Sequence, residues 1–300
     1  MLTSAVRTYL ELVRFSHTVF ALPFAMIAVL IALAQPGARD GSAWLRQVAG
    51  VLVCMVTART AAMAFNRLVD RTFDAANPRT AGRHLPRGAV GVAEVMALVA
   101  ASIAGFVAGT LLFLPNWLPL ALSAPVLAWL LGYSYAKRFT SLAHAWLGVA
   151  LGLAPVAAWI AIRGATVLDT PTDLWPALIL GAAVSVWVAG FDTIYACQDA
   201  AFDATHGLHS LPARLGVPRA LQVAGLLHGV TVVLLACLPL VVPQLGPIYW
   251  VALAVIAALL AWEHAIVRPD DLSRVNDAFF TANALVGFTL LAAIFADLRW

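Results

Sequence analysis

The sequence contains few charged residues. Only 11% of its 300 residues are Asp, Glu, Lys or Arg, whereas 62% are hydrophobic. A typical soluble domain is about 45–50% apolar and about 25% charged. The composition therefore argues against an ordinary water-soluble domain and favours a chain whose solvent is lipid. No basic patch interleaved with aromatic residues lies outside the predicted membrane loops, so we expect no nucleic-acid partner.

Paired cysteines and phosphate-binding glycine motifs are also scarce. The three cysteines form no CxxC pair, so the sequence predicts neither a disulfide framework nor a zinc site. The HxxH pair of His206 and His209 lacks two further ligands at zinc spacing, which makes a structural metal unexpected. There is no Gly-rich phosphate loop. Gly148 and Gly152 form a GxxxG motif, which favours close packing of two helices over chemistry.

Long apolar stretches make up most of the sequence. Nine of them are long enough, at about 20 residues each, to cross about 30 Å of hydrocarbon. They must be helical, because backbone groups find no water in lipid. The first exceeds the roughly 7–15 apolar residues of a signal peptide, so we interpret it as a membrane helix. The sequence therefore predicts an all-α polytopic membrane protein with about nine transmembrane helices. The stretches are Phe15–Ala34, Val48–Phe65, Val92–Leu114, Trp117–Gly132, Leu142–Ile162, Pro176–Tyr195, Leu221–Val242, Tyr249–Val267 and Ala278–Ala296.

The basic residues indicate an orientation. With nine spans, successive loops alternate between the two faces of the membrane, and the face that holds the N-terminus carries 14 of the 18 Lys and Arg residues. Basic residues are retained on the cytoplasmic side. This face is therefore predicted to be cytoplasmic, and we expect the chain in a bacterial cytoplasmic (inner) membrane.

The segment AFNRLVDRTFDAANPRTAGRHLPRG, residues 64–88, carries a first acidic cluster on this face. Asn66, Asp70 and Asp74 are spaced four apart, so on a helix they lie along one face with neighbouring Cβ atoms about 5–6 Å apart. Like charges at this separation are unfavourable unless a cation lies between them. The alternative is a solvated loop whose acids pair with arginines such as Arg67.

The segment AGFDTIYACQDAAFDATHGLHSLPARLG, residues 189–216, carries a second acidic cluster. Asp199 and Asp203 repeat the spacing of four, Asp192 precedes them, and both clusters are followed by similar tails, GRHLP and LHSLP. The clusters lie four spans apart on the same predicted face. The pattern predicts a single domain over residues 1–300 with a weak internal repeat and one shared site.

Oxygen ligands in this number favour a hard cation. Ionisable groups at membrane depth are costly, which favours a functional role, and Mg²⁺ usually takes one or two carboxylates together with substrate phosphate oxygens. Tyr133, Lys137 and Arg138 follow the fourth span on the same predicted face, and Lys and Arg suit phosphate oxygens, although such residues are also typical of a membrane anchor. The combination predicts a diphosphate ligand, for which a polyprenyl diphosphate is the natural membrane candidate.

These motifs resemble those of the UbiA superfamily of intramembrane prenyltransferases, over most of the chain. The resemblance implies a helical bundle around a central cavity that opens to lipid. The chain is most similar to the 4-hydroxybenzoate polyprenyltransferase-like branch, part of which uses naphthoate acceptors in menaquinone synthesis. The matching segments are Asn66xxxAsp70xxxAsp74 with Asn77-Pro78-Arg79-Thr80, Tyr133xxxLys137-Arg138, Asp192xxTyr195-Ala196xxAsp199xxxAsp203, and RFSHTVFALPFA at residues 14–25.

The resemblance also implies roles for individual residues. Mg²⁺ on the diphosphate would be held by Asn66, Asp70, Asp74, Asp199 and Asp203. The diphosphate would be bound by Arg79, Tyr133, Lys137 and Arg138. The catalytic residues that orient the aromatic acceptor or receive its proton would be Asp192 and Tyr195. The polar end of the acceptor would contact Arg14 and His17. Ionisation of the polyprenyl diphosphate would give an allylic cation that a ring carbon of the acceptor attacks.

One position departs from the family pattern. The first motif often has Asp directly after its Asn, whereas this chain has Arg67, so one carboxylate is lost, a cation is gained and the number of Mg²⁺ ions is open. The acceptor is also open, between a benzoate, a dihydroxynaphthoate and a larger ring such as haem.

An ion- or proton-coupled transporter is the alternative function of another class, since intramembrane acids can form an ion path. Transporter sites lie towards the midplane, whereas these acids lie at one end of the spans.

Overall fold

The computed structural model describes residues 4–14, 20–38 and 43–298, and this part of the chain is helical apart from turns and one isolated bridge. Eight of its helical segments are long and apolar enough to cross a membrane. The α-helices are α1 Ser4–Leu12, α2 Leu22–Ala34, α3 Ala43–Val69, α4 Arg71–Ala76, α5 Val92–Thr110, α6 Leu118–Ala136, α7 Ala143–Asp169, α8 Trp175–Ala196, α9 Ala200–Thr205, α10 Leu211–Leu215, α11 Val217–Cys237, α12 Pro247–Ile266, α13 Val275–Asp277 and α14 Asn283–Asp297.

The predicted all-α polytopic fold is confirmed, and the spans differ from the prediction mainly at their ends. The first predicted span is the 13-residue helix α2, roughly 20 Å long, while Phe15–Val19 of that span lie outside the described residues. The last predicted span begins as a π-helical turn over Ala278–Ala282 before α14 starts. Helix α6 continues to Ala136, four residues beyond its apolar stretch.

In the middle of α11, over residues 226–233, apolar residues face outwards and polar residues face inwards. Leu226 is 72% exposed and Val233 is 62% exposed, whereas His228 and Thr231 are 3% and 2% exposed. This is the reverse of the pattern on a helix at a water-facing surface. The outward face is therefore suited to lipid, and the chain is an integral membrane protein.

The chain forms two compact units, and the first comprises residues 1–18 and 46–135. In this unit α3 and α5 approach closely, because a side chain on Gly109 would meet the Cys54 sulfur at 3.0 Å. Helix α1 is fixed at the end of α3, where Leu12 is buried against Ala64 and Arg67 Nε donates to the Leu12 carbonyl at 3.4 Å. The first acidic motif therefore begins beside a packed helix end.

The second unit comprises residues 19–45 and 136–300, and its closest helix pair is α7 with α8. A Cβ atom on Gly148 would overlap the Ser185 carbonyl, and one on Gly152 would overlap Ser185 Oγ and the Gly181 carbonyl. The interpretation of GxxxG as a packing motif is confirmed. The contact fixes α8, which carries the second acidic motif at its end.

A buried polar cluster joins α11, α12 and α14 in the same unit. Glu263 and Asn283 are fully buried, and Asn283 Nδ2 donates to Glu263 Oε1 at 3.2 Å. His264 Nε2 lies 2.9 Å from His228 Nδ1, and His228 Nε2 lies 3.3 Å from the Trp187 carbonyl. Since that carbonyl can only accept, His228 carries its proton on Nε2 and accepts from His264.

Two acceptors in this cluster lack a hydrogen bond among the described residues, namely Glu263 Oε2 and Asn283 Oδ1. His228 Nδ1 lies 3.7 Å from Oε2 but accepts from His264 and carries no proton, so a proton on Oε2 would make that oxygen a donor among acceptors. The arrangement fits an uncharged Glu263.

We expect Gly152→Ala to destabilise the protein by about 1–3 kcal/mol or more, since the added methyl group must displace backbone of α8. Thermal unfolding of the purified protein in detergent measures the effect. Gly229→Ala is the matched control, because a Cβ atom there meets nothing within 4 Å. Equal unfolding temperatures for the two variants would contradict this packing.

We expect Glu263→Gln to be tolerated, because a glutamine amide can donate to Asn283 Oδ1 and accept from Asn283 Nδ2. Glu263→Leu should cost about 1–3 kcal/mol by leaving Asn283 unpaired. The double variant with Asn283→Leu should recover much of that loss, since removing both partners removes the unpaired group. Thermal unfolding checks the series, and a Gln variant as unstable as the Leu variant argues for a charged Glu263.

Candidate active site

The first acidic motif follows the end of α3 and continues into α4. Asp70 N donates to the Asn66 carbonyl at 2.9 Å, and Asp74 N donates to the Asp70 carbonyl at 2.7 Å. The backbone at Asp70 nevertheless leaves helical geometry, with φ −90° and ψ 3°. The prediction of one continuous helix face is therefore corrected to two helical segments joined at Asp70.

The side chains of this motif hold one another. Asn66 Nδ2 donates to Asp70 Oδ2 at 2.8 Å, and Arg83 Nη1 donates to Asp74 Oδ1 at 2.6 Å. Asp74 is buried, and its Oδ2 has no hydrogen bond among the described residues. The nearest cation to that oxygen in an ion pair is Arg67, whose Nη1 lies 4.0 Å away.

The turn after α4 explains how Arg83 reaches Asp74. Asn77 Oδ1 accepts from Arg79 N at 2.9 Å, and Thr80 Oγ1 donates to the Asp74 carbonyl at 3.0 Å. Asn77 and Thr80 are buried, whereas Arg79 is exposed. The Asn-Pro-Arg-Thr sequence is thus a turn that folds back onto the motif.

The second acidic motif has the same local structure in the other unit. Helix α8 ends at Ala196, the turn Cys197–Asp199 follows, and α9 begins at the next residue. Asp199 has φ −104° and ψ 3°, close to the values at Asp70. Asp203 is 2% exposed, and its Oδ2 has no hydrogen bond among the described residues. Each motif therefore ends in a buried Asp with one unpaired carboxylate oxygen.

Asp192 and Tyr195 lie on the last turns of α8, and their neighbours were not predicted. Asp192 Oδ2 lies 2.7 Å from Nδ1 of His144, which is 1% exposed. The Tyr195 ring packs on Phe279 with a centroid separation of 4.5 Å. His144 escaped sequence reasoning because a single histidine at the start of an apolar helix has no motif around it.

The predicted diphosphate-binding segment lies at the end of α6 and just after it. Tyr133 and Lys137 are half-buried, and Arg138 is exposed. The Lys137 carbonyl accepts from His209 N at 2.7 Å, which ties Lys137 to the loop after the second motif. Tyr133 belongs to the first unit, where the neighbouring Tyr135 ring lies 6.0 Å from that of Phe65.

The two residues predicted to contact the acceptor are only partly described. Arg14 is exposed and has φ 50°, a left-handed backbone that is uncommon for residues other than glycine. His17 lies outside the described residues.

Arg83 contacts the first acidic motif through Asp74. The sequence did not predict this role, because nine residues separate Arg83 from Asp74.

Other acids of the chain show what a purely structural carboxylate looks like. Asp173 accepts from Arg163 Nη2 at 2.6 Å and from Trp159 Nε1 at 2.9 Å. Asp297 Oδ2 accepts from the backbone of Gly246 and Tyr249, both at 2.8 Å. These acids lie on helix ends and loops and have several donors each, unlike Asp203.

The donor set fits Mg²⁺ bound together with a phosphate ligand. Among the described residues, no group of three or more His, Cys, Asp or Glu side chains forms a metal site by itself. Each motif offers two carboxylates, and one oxygen of Asp74 and one of Asp203 are buried without a hydrogen-bond donor. Because Mg²⁺ commonly takes one or two carboxylates plus phosphate oxygens and water, the pair of carboxylates in each motif suits the ion by itself.

Comparisons with known proteins place the chain in one family. The model of the UbiA prenyltransferase family matches residues 21–285. A 4-hydroxybenzoate octaprenyltransferase from Albidiferax ferrireducens is 34% identical over 242 residues, which cover 79% of this chain and 76% of that protein.

Two solved structures share the fold. The apo structure of a UbiA homolog from Aeropyrum pernix K1 has a TM-score of 0.81 and 36% identity, and covers 94% of this chain and 98% of that one. A UbiA homolog from Archaeoglobus fulgidus, bound to GPP and Mg²⁺, has a TM-score of 0.70 and 21% identity, and covers 98% and 100%. The chain therefore belongs to the UbiA prenyltransferase family and is an integral membrane prenyltransferase.

Proposed function

We propose that the chain transfers a polyprenyl group from a polyprenyl diphosphate to a ring carbon of 4-hydroxybenzoate, or of a similar aromatic acid, in quinone biosynthesis. Mg²⁺ is the proposed cofactor. The names of the relatives support the acceptor class, since several curated proteins at 31–34% identity are 4-hydroxybenzoate prenyltransferases. Family membership favours this enzyme over the ion-coupled transporter.

The observation that carries the proposal is the unpaired, buried oxygen at the end of each acidic motif. A buried carboxylate oxygen without a donor costs free energy, and a divalent cation beside it would remove that cost. Asp74 and Asp203 share this feature, and Asp70 and Asp199 precede them at the same spacing and backbone geometry. Asn66 supports the set by orienting Asp70.

The diphosphate-binding residues act by charge. Arg79, Lys137 and Arg138 supply the cations that phosphate oxygens need, Arg in a planar fork and Lys as a point charge. Tyr133 adds a hydroxyl donor. When bound, Mg²⁺ neutralises charge on the departing diphosphate. Together these groups stabilise the negative charge that develops as the C–O bond of the prenyl diphosphate breaks.

When the aromatic acceptor is prenylated, its ring carbon must lose one proton. As the C–O bond breaks, its electron pair leaves with the diphosphate, and a ring carbon of the aromatic acid forms the new C–C bond. The ring carbon then loses its hydrogen as a proton, and Asp192 is the proposed acceptor of that proton. Tyr195, packed on Phe279, is proposed to orient the ring. Arg14 and His17 are proposed to contact the carboxylate of the acceptor.

The proposed location is a bacterial cytoplasmic (inner) membrane, with both acidic motifs on the cytoplasmic side. The bias of Lys and Arg towards this face supports the orientation. We also propose that residues 1–300 are one UbiA-like domain with a weak internal repeat. The matched break at Asp70 and at Asp199, each followed by a six-residue helix, supports the repeat.

We expect Asp74→Asn and Asp203→Asn each to lower turnover by at least about 100-fold, because an amide is a weak ligand for Mg²⁺ and its NH₂ group repels a cation. The purified variants should still unfold cooperatively. Asp270→Asn, at an exposed position, is the matched control. Full activity in either motif variant would refute the metal assignment.

We expect EDTA to abolish product formation and added Mg²⁺ to restore it, while ionic strength is held constant. The assay follows diphosphate release and prenylated product by mass spectrometry, with one long polyprenyl diphosphate. The acceptor panel contains 4-hydroxybenzoate, a dihydroxynaphthoate and haem. Product with 4-hydroxybenzoate supports the proposal, whereas product only with the naphthoate assigns the chain to menaquinone synthesis.

A further inference from the structure

His144 makes a hydrogen bond with each of its ring nitrogens. It is 1% exposed and lies at the first turn of α7. Nδ1 is 2.7 Å from Asp192 Oδ2, and Nε2 accepts from Leu211 N at 3.3 Å. A buried imidazole with both nitrogens satisfied has one orientation and little freedom to leave it.

The backbone partner fixes which nitrogen carries the proton. The Leu211 N–H can only donate, so Nε2 must present its lone pair and the proton is on Nδ1. Nδ1 therefore donates to the Asp192 carboxylate, and a hydrogen bond to a charged acceptor is stronger than a neutral one. The loop that follows the second acidic motif thus sets the tautomer that holds Asp192.

Two further hydrogen bonds join the same two segments. His209 N donates to the Lys137 carbonyl at 2.7 Å, and Arg214 Nη1 donates to Ser141 Oγ at 3.0 Å. With the Leu211 bond to His144, they join residues 137–144 to residues 209–214. We call this set the loop tie.

Only one oxygen of Asp192 is used. Oδ2 takes the His144 bond, Oδ1 has no hydrogen bond among the described residues, and the side chain keeps 18% of its exposure. A carboxylate held at one oxygen cannot rotate freely, and its second oxygen points in a fixed direction. This is the arrangement expected for a base that must meet a proton at one place.

We infer that His144 is a positioning residue, which fixes the Asp192 carboxylate so that Oδ1 receives the proton lost by the aromatic acceptor. The inference rests on the proposed function. His144 touches neither substrate nor metal in this role, and it acts through Asp192 alone. The geometry resembles the general pattern in which a third group orients a catalytic base.

The test uses variants of His144 that each keep the hydrogen bond of only one ring nitrogen. In His144→Asn the amide nitrogen can stand near the Nδ1 position and still donate to Asp192. In His144→Gln the amide oxygen can stand near the Nε2 position and still accept from Leu211. His144→Phe removes both contacts and keeps a ring of similar size. The kcat and the KM for polyprenyl diphosphate and for 4-hydroxybenzoate are measured in nanodiscs with Mg²⁺.

We expect the Asn variant to keep kcat within about threefold of the wild type, and the Gln and Phe variants to lose about 10- to 100-fold in kcat. The KM for polyprenyl diphosphate should not change, because Asp192 holds no phosphate in the proposed mechanism. In an Asp192→Asn background, His144→Phe should cause no further loss, since the two residues act as one unit.

Ser141→Ala is the control, because it removes the Arg214 bond of the loop tie and leaves the His144–Asp192 bond intact. It should keep the wild-type kcat. If the Phe variant does not fold, the Asn and Gln pair still decides the matter.

Equal activity in the Asn and Gln variants, or an additive loss in the double variant, overturns the role of His144. If the wild type prenylates no aromatic acid, the proposed function fails before any variant is compared. The two failures are therefore distinguishable.

Discussion

A carboxylate oxygen that is shielded from water needs a hydrogen-bond donor, a proton or a cation, and the buried acids of this chain meet that need in different ways. Asp173 and Asp297 meet it with several hydrogen-bond donors each. One oxygen of Asp74 and one of Asp203 have no hydrogen-bond donor among the described residues, although both residues are buried. Such an oxygen is tolerated in a native protein where a ligand supplies the missing charge. The Mg²⁺ role that we propose for these two residues would give each of these oxygens a partner.

Neighbouring side chains keep the acids of these segments in place. Arg83 holds one oxygen of Asp74, and Asn66 holds one of Asp70. In the second unit, His144 holds one oxygen of Asp192. In each case a side chain from another turn or helix holds the carboxylate at one of its oxygen atoms. Such contacts orient a carboxylate in advance, which would lower the cost of ordering it when a ligand binds.

Much of the fold could be predicted from hydropathy, because apolar runs of membrane length have few alternatives to a helix. The ends of the helices were harder to predict, because α6 continues through polar residues to Ala136 and α2 begins only at Leu22. The spacing of Asp70 and Asp74 revealed the pair but not the backbone break between them. His144 could not be found, because 48 residues separate it from Asp192 and only the packing of α7 on α8 brings them together.

Gly190 lies two residues before Asp192, and it is covered by the imidazole of His228. A Cβ atom at that position would come within 2.5 Å of His228 Cδ2 and Nε2. The ring itself cannot retreat easily, because the Trp187 carbonyl and His264 hold it on two sides. The turn of α8 that precedes Asp192 is thus held against α11, a helix that carries neither acidic motif. Any residue larger than glycine at position 190 would therefore have to push α8 away from α11, one half-turn before the carboxylate that we propose as the base.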